Sequence, residues 1–173
     1  MLLYVNKQQS ICRYRPFVNV GSGANDAMKE TEEQTDNKHA VRRLYSEVWS
    51  EGDLGVIDEL FADTFEHFGP AVPGNLSGIE GYKEFVMMFR NAFPDTQIEV
   101  VESVEERGTI AVRWLGHGTH RGTLMGIDAT NQRVANPRVS LIRSERRSIS
   151  EIWDIYDTYG LLRKLGATDS LAD

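Results

Sequence analysis

The chain has 173 residues, 40% of them hydrophobic and 26% charged, with a formal net charge of −7. That length and balance suit one globular domain with tails and exclude wholesale disorder. A pI near 5.1 argues against nucleic acid or an anionic membrane surface as a partner, and no stretch approaches the ~20 apolar residues of a membrane span.

Residues 1–36 read as an N-terminal arm with little fixed structure. Lys7, Arg13 and Arg15 precede the first acid, Asp26, and a Gly-Ser-Gly step at 21–23 leads into an acidic stretch over 30–36. Neither half shows a sustained apolar period. The acid-poor start has a slight transit-peptide character but little serine; the plainer reading is an extended start, with Met28 as an alternative first residue. Cys12 is the only cysteine, so an internal disulfide is excluded. A lone thiol suits a reducing compartment, and a cytoplasmic location is the expectation.

The periodic part begins near Asn37 and defines a domain over 37–167, with a short tail over 168–173. Val41, Leu44, Tyr45, Val48 and Trp49 fall on one stripe of an amphipathic helix ended by Gly52. Asp53 caps a short second helix carrying Val56, Ile57, Leu60 and Phe61. Residues 65–68 read as a short strand that runs into a loop with Pro70, Pro73 and Gly74. Ser77 and Glu80 form a capping box for a third helix, which Pro94 stops. Beyond Pro94 the period switches to two. Strands are expected over 98–104, from 110 through the glycines to 122, over 134–143 and over 148–157, then a closing helix with Leu161, Leu162 and Leu165. Helices followed by consecutive antiparallel strands describe an α+β domain. No P-loop, dinucleotide fingerprint, nucleophile elbow or zinc spacing is present.

Several words along this chain, in order, resemble the SnoaL-like polyketide cyclases, also called the ester cyclase family. They are Phe61-Ala62-Asp63 leading to Glu66-His67, Phe93-Pro94-Asp95, Gly118-Thr119-His120-Arg121-Gly122 with Met125-Gly126-Ile127, and Trp153-Asp154-Ile155-Tyr156-Asp157 followed by 160–166. The likeness covers about residues 38–167. It implies a cone-shaped, nuclear-transport-factor-2-like fold: a curved antiparallel sheet with N-terminal helices on its concave face and a pocket there. It further implies no metal or cofactor, a homodimer or homotetramer, and an intramolecular aldol ring closure on an aromatic polyketide.

Asp154 falls at the position of the cyclases' acid/base aspartate. The reaction needs one group that removes a proton alpha to a carbonyl and later protonates the new alkoxide, and a carboxyl in an apolar pocket suits both jobs. Alternation puts Ile152, Asp154 and Tyr156 on one face and Trp153, Ile155 and Asp157 on the other. Asp157 is the better cap for the last helix. An apolar outer face at Trp153 and Ile155 calls for cover by a second subunit.

Arg138 and Ser140 share a face of the preceding strand, where the cyclases commonly carry Gln and His. Arg138 either holds a substrate carbonyl or enolate, pairs with Asp154, or faces solvent. A two-residue turn at Arg146-Arg147 would put Val139 opposite Asp154; a three-residue loop, favoured because the turn lacks Gly or Asn, would bring Arg138 or Ser140 there. His67 and His120 are further substrate-binding candidates, each equally readable as a structural residue. Trp114 and the aromatic residues Tyr45, Trp49, Tyr82, Phe85 and Phe89 line either a hydrophobic pocket for a flat ligand or plain core. A small-molecule substrate is thus the expected partner. Two alternatives stand beside the cyclase reading: an epoxide hydrolase of the limonene type, whose sites use an Asp-Arg-Asp set, and a non-catalytic module that stores a ligand.

Overall fold

A computed structural model describes residues 32–69, 78–145 and 148–167; most of the N-terminal arm, the capping box serine and the C-terminal tail lie outside them. Helix α1 spans Glu32–Arg43 and continues without a break into a π-helical stretch, Leu44–Glu51, closed by Gly52 in the left-handed conformation. Helix α1 therefore starts five residues ahead of the first periodic position. Its first turn is polar and carries no apolar signal. Asn37 is fully buried there, donating to Glu105 and accepting from the Ser144 hydroxyl, at 2.9 and 3.0 Å. Helix α2 is Gly55–Leu60, and Phe61 already belongs to strand β1, Phe61–Phe68. Helix α3 is Gly78–Ala92. Strands β2 (Gln97–Glu106), β3 (Thr109–Thr119), β4 (Arg133–Glu145) and β5 (Ser148–Tyr156) follow, then helix α4, Thr158–Lys164. Asp157 caps α4, its carboxylate accepting the Gly160 N–H at 2.7 Å.

One five-stranded sheet results, in the order β1-β5-β4-β3-β2. Strands β2 to β5 form an antiparallel meander, but β1 runs parallel to β5. The sheet is mixed rather than wholly antiparallel. The long crossover through α3 and the meander brings β1 to the free edge of β5 in either direction, whereas hairpins force antiparallel pairing.

The sequence periods explain the layers. Val41, Leu44, Tyr45, Val48 and Trp49 turn inward, as do Tyr82, Phe85, Val86 and Phe89 of α3. They meet the inner rows of the sheet, Ile110, Val112 and Trp114 on β3 with Ile142, Ile149 and Ile152 on β4 and β5. Each such side chain contributes roughly 1.5–3 kcal/mol when fully buried. No helix among the described residues is long and apolar enough to cross a membrane.

The β4–β5 hairpin sets the register that matters for function. Glu145 pairs with Ser148 and Ser144 with Ile149, the register of a two-residue turn; Arg143 then pairs with Glu151, leaving Ser150 unpaired. This one-residue bulge puts Ser140 opposite Asp154 and Arg138 opposite Tyr156. The longer loop is thus not what creates the juxtaposition. An extra residue inside the strand does the same work.

Candidate active site

Alternation on β4 and β5 carries Arg138, Ser140, Asp154 and Tyr156 to the inner face, where all four are buried. His67 arrives from the edge strand β1, aligned with Ile152 of β5, and its Nε2 lies 2.9 Å from Asp154 Oδ2. The Ser140 hydroxyl donates to Asp154 Oδ1. Trp114 Nε1 donates to Ser140 Oγ at 2.8 Å. An indole N–H can only donate, so it takes a Ser140 lone pair and leaves the hydroxyl proton for the carboxylate. With Asp154 ionised, His67 must carry its proton on Nε2. The His67 ring stands edge-on to Tyr82 and Phe85, with centroids 5.0 and 4.7 Å away. Among the described residues Asp154 is the only Asp or Glu that is buried.

Arg138 is 7% exposed. Its guanidinium carbon lies 4.2 Å from the Tyr156 ring centre, 4.8 Å from that of Phe89 and 5.0 Å from that of Trp114. Such faces attract a desolvated cation. Burial pushes the guanidinium pKa below its ordinary value, partly offset by Tyr156 and Asp154. Among the described residues it forms no ion pair, and Nε and Nη1 have no hydrogen-bond partner. The residue is therefore neither a surface arginine nor the salt-bridge partner of Asp154. Burial pushes the Tyr156 phenol up to about 12, against the opposite pull of Arg138. Burial, reinforced by the charge of Asp154, likewise raises Tyr45 and Tyr82. All three phenols keep their protons at neutral pH.

A cavity opens beside this cluster. Trp49, Phe89 and Phe93 form its apolar wall, and Trp114, Asn136 and Arg138 its polar end. It is an open cleft with a cavity volume of about 40 Å³. That is enough for a few waters. Asp154, Ser140 and His67 are not among its lining residues.

His120 is not brought to this cluster. It is fully buried against Phe93, with ring centroids 5.2 Å apart, and its Nδ1 lies 3.1 Å from the Thr130 hydroxyl. Burial pushes its pKa down. Its backbone exchanges hydrogen bonds with Gln132 and Asn131, while the Arg121 and Gly122 N–H groups both bind the Ala92 carbonyl. These contacts make His120 a clasp between the end of α3 and the 120–132 loop. Gly122 ends this clasp, past the end of β3 at Thr119 rather than inside it.

The sequence profile of the SnoaL-like polyketide cyclases matches residues 39–165. The chain belongs to this family. Among solved structures, a protein of Jannaschia sp. CCS1, provisionally named a SnoaL-like polyketide cyclase, is 22% identical with a TM-score of 0.74, covering 80% of this chain and 97% of its own. IdmH of Streptomyces antibioticus, provisionally named a polyketide cyclase, is 26% identical with a TM-score of 0.67, covering 75% and 98%. A Catenulispora acidiphila DSM 44928 protein with a ketosteroid isomerase-like fold is 15% identical with a TM-score of 0.63, covering 73% and 92%. No curated protein matches the sequence significantly.

The nuclear-transport-factor-2-like architecture follows, and with it a family-level cyclase character. Sequence reasoning missed Asn136 as a site residue. It is buried, lines the cavity and has no partner for its Nδ2. The alternation that joined Arg138 to Ser140 extends to Asn136 and would have found it.

Proposed function

We propose that the chain catalyses cofactor-free acid/base chemistry of the cyclase type, an intramolecular aldol ring closure on an apolar, carbonyl-bearing small molecule. The observation that carries this is Asp154, the one buried carboxylate among the described residues, held by Ser140 and His67 at the apolar inner face. Asp154 removes the proton alpha to one carbonyl; the resulting enolate carbon bonds to a second carbonyl carbon of the same molecule; the new alkoxide takes the proton back from Asp154. Ser140 and His67 fix the carboxylate. A substrate in the cavity meets Trp114 and Arg138 first, and Asp154 takes part once these side chains part. The test is wash-in of solvent deuterium alpha to the carbonyl, followed by NMR over a panel of flat diketones. Exchange or ring closure by the wild type is the expected result, and inertness towards every carbonyl substrate together with turnover of epoxides would overturn it. Epoxide hydrolysis by an Asp-Arg-Asp set lacks its second acid here, since Ser140 faces Asp154. Binding without any turnover would leave the storage reading.

A second copy covers the outer face of the sheet in this reading. Val139, Leu141, Trp153 and Ile155 are 39–61% exposed there, and Phe68 stacks on Trp153 with ring centroids 4.4 Å apart. Arg113–Glu102 and Arg143–Glu151 pairs flank this apolar centre. An apolar middle with a polar rim suits a self-complementary contact, and the family resemblance implies a homo-oligomer. Light scattering of the wild type is expected to give a dimer or tetramer mass, and Trp153→Glu a monomer with an unchanged fold. A wild-type monomer at micromolar concentration would refute the assembly.

A further inference from the structure

Two of the residues that line the cavity, Arg138 and Asn136, carry more hydrogen-bond donors than the protein itself uses. Arg138 Nε and Nη1 and Asn136 Nδ2 are all buried without partners. Arg138 and Asn136 lie two residues apart on one face of β4 and both line the cavity. Unpartnered buried donors are costly, and an unpaired buried cation more so. Asp154, bonded to Ser140 and His67, makes no hydrogen bond to Arg138 Nε or Nη1. The three rings around the guanidinium fix its place but leave Nε and Nη1 unsatisfied. What the arrangement lacks is an acceptor, and the natural acceptor for a guanidinium is an anionic oxygen.

We propose that Arg138 and Asn136 form an anion subsite for a carboxylate on the ligand, so that the substrate class is a flat organic acid rather than a neutral ester or amide. This rests on reading the cavity as the substrate site. The carboxylate accepts from the guanidinium and the Asn136 amide, while the apolar body lies against Trp49, Phe89 and Phe93.

Benzoate and benzamide are the probes, alike in shape and different in charge. Titration calorimetry at neutral pH is expected to show benzoate binding at least ~10-fold more tightly than benzamide, about what one charge-assisted hydrogen bond supplies. Arg138→Met should bring the two affinities together, and Arg138→Lys should keep part of the difference. Arg138→Gln serves if the methionine variant folds poorly, although removing an unpaired buried cation is expected to hold or raise the melting temperature. Asp154→Asn should retain the preference for benzoate while losing turnover, which separates failure of this subsite from failure of the acid/base assignment. Equal affinity for the two probes in the wild type, no benzoate binding at millimolar concentration, or a preference that survives loss of the Arg138 charge would each overturn the proposal.

Discussion

Asp154→Asn is expected to lower turnover by about 10²–10⁴-fold while leaving ligand affinity nearly unchanged, the signature of a lost proton-transfer group. The geometry makes this substitution a clean one. The Ser140 hydroxyl can still donate to the amide oxygen, and the amide nitrogen can donate to His67 once the imidazole moves its proton to Nδ1. Shape and hydrogen bonds survive, and only the proton-accepting carboxylate goes. The melting temperature should hold or rise slightly, because a buried charge is removed. A merely structural Asp154 would give the opposite pair of results, lower stability with turnover near wild type. Asp157→Asn is the matched control: asparagine caps helices about as well as aspartate, so neither the Gly160 contact nor turnover should change. Full activity in Asp154→Asn would end the mechanism.

Gly122→Ala should cost about 2–4 kcal/mol of stability, a large effect for one methyl group. A Cβ at Gly122 would overlap the Asn91 carbonyl oxygen and lie 3.0 Å from the Asn91 carbonyl carbon. Both are backbone atoms at the end of α3, so neither can step aside as a flexible side chain would. The Gly122 N–H bond to Ala92, at 3.1 Å, and the Arg121 bond beside it, at 2.9 Å, fix the two segments at this distance. Relief requires the loop to lift from α3, exposing His120 and Phe93. A fall in melting temperature of ~10 °C is expected by calorimetry. Gly116→Ala is the comparison, since its Cβ would meet Ile98 and Trp114 at an ordinary 3.5 Å. Similar melting temperatures for the two variants would show that the loop yields easily.

These contrasts mark what could be read from the chain alone. The helical stripe of Val41 to Trp49 and the two-residue alternation of Ile110, Val112 and Trp114 announced the layers, because burial imposes a period on side chains. The inward set of Ile152, Asp154 and Tyr156 followed from parity once one member was placed. Parity inside a strand does not fix pairing between strands. Whether Ser150, with no distinctive chemistry, pairs or bulges decides whether Asp154 faces Ser140 or Val139. The parallel entry of β1 beside β5 was equally invisible, since direction is not written in composition; yet it delivers His67 to Asp154. His120 shows the converse. A motif that stands out among relatives turned out to clasp a loop, because a close backbone approach constrains sequence as strictly as chemistry does.

The bulge at Ser150 bears on how such a chain can change length through descent. Ile149 and Ile152 both face inward although three residues apart, and Ser150 absorbs the odd step between them. Losing Ser150 would leave Ser144 with Ile149 and Arg143 with Glu151, so the pairs deeper in the hairpin, Ser140 with Asp154 among them, would be untouched. Losing Ile152 or Trp153 instead would turn the acid outward unless a new irregularity formed. One codon in this hairpin is therefore expendable while its neighbours are not, and lineages that trim the strand should do so there.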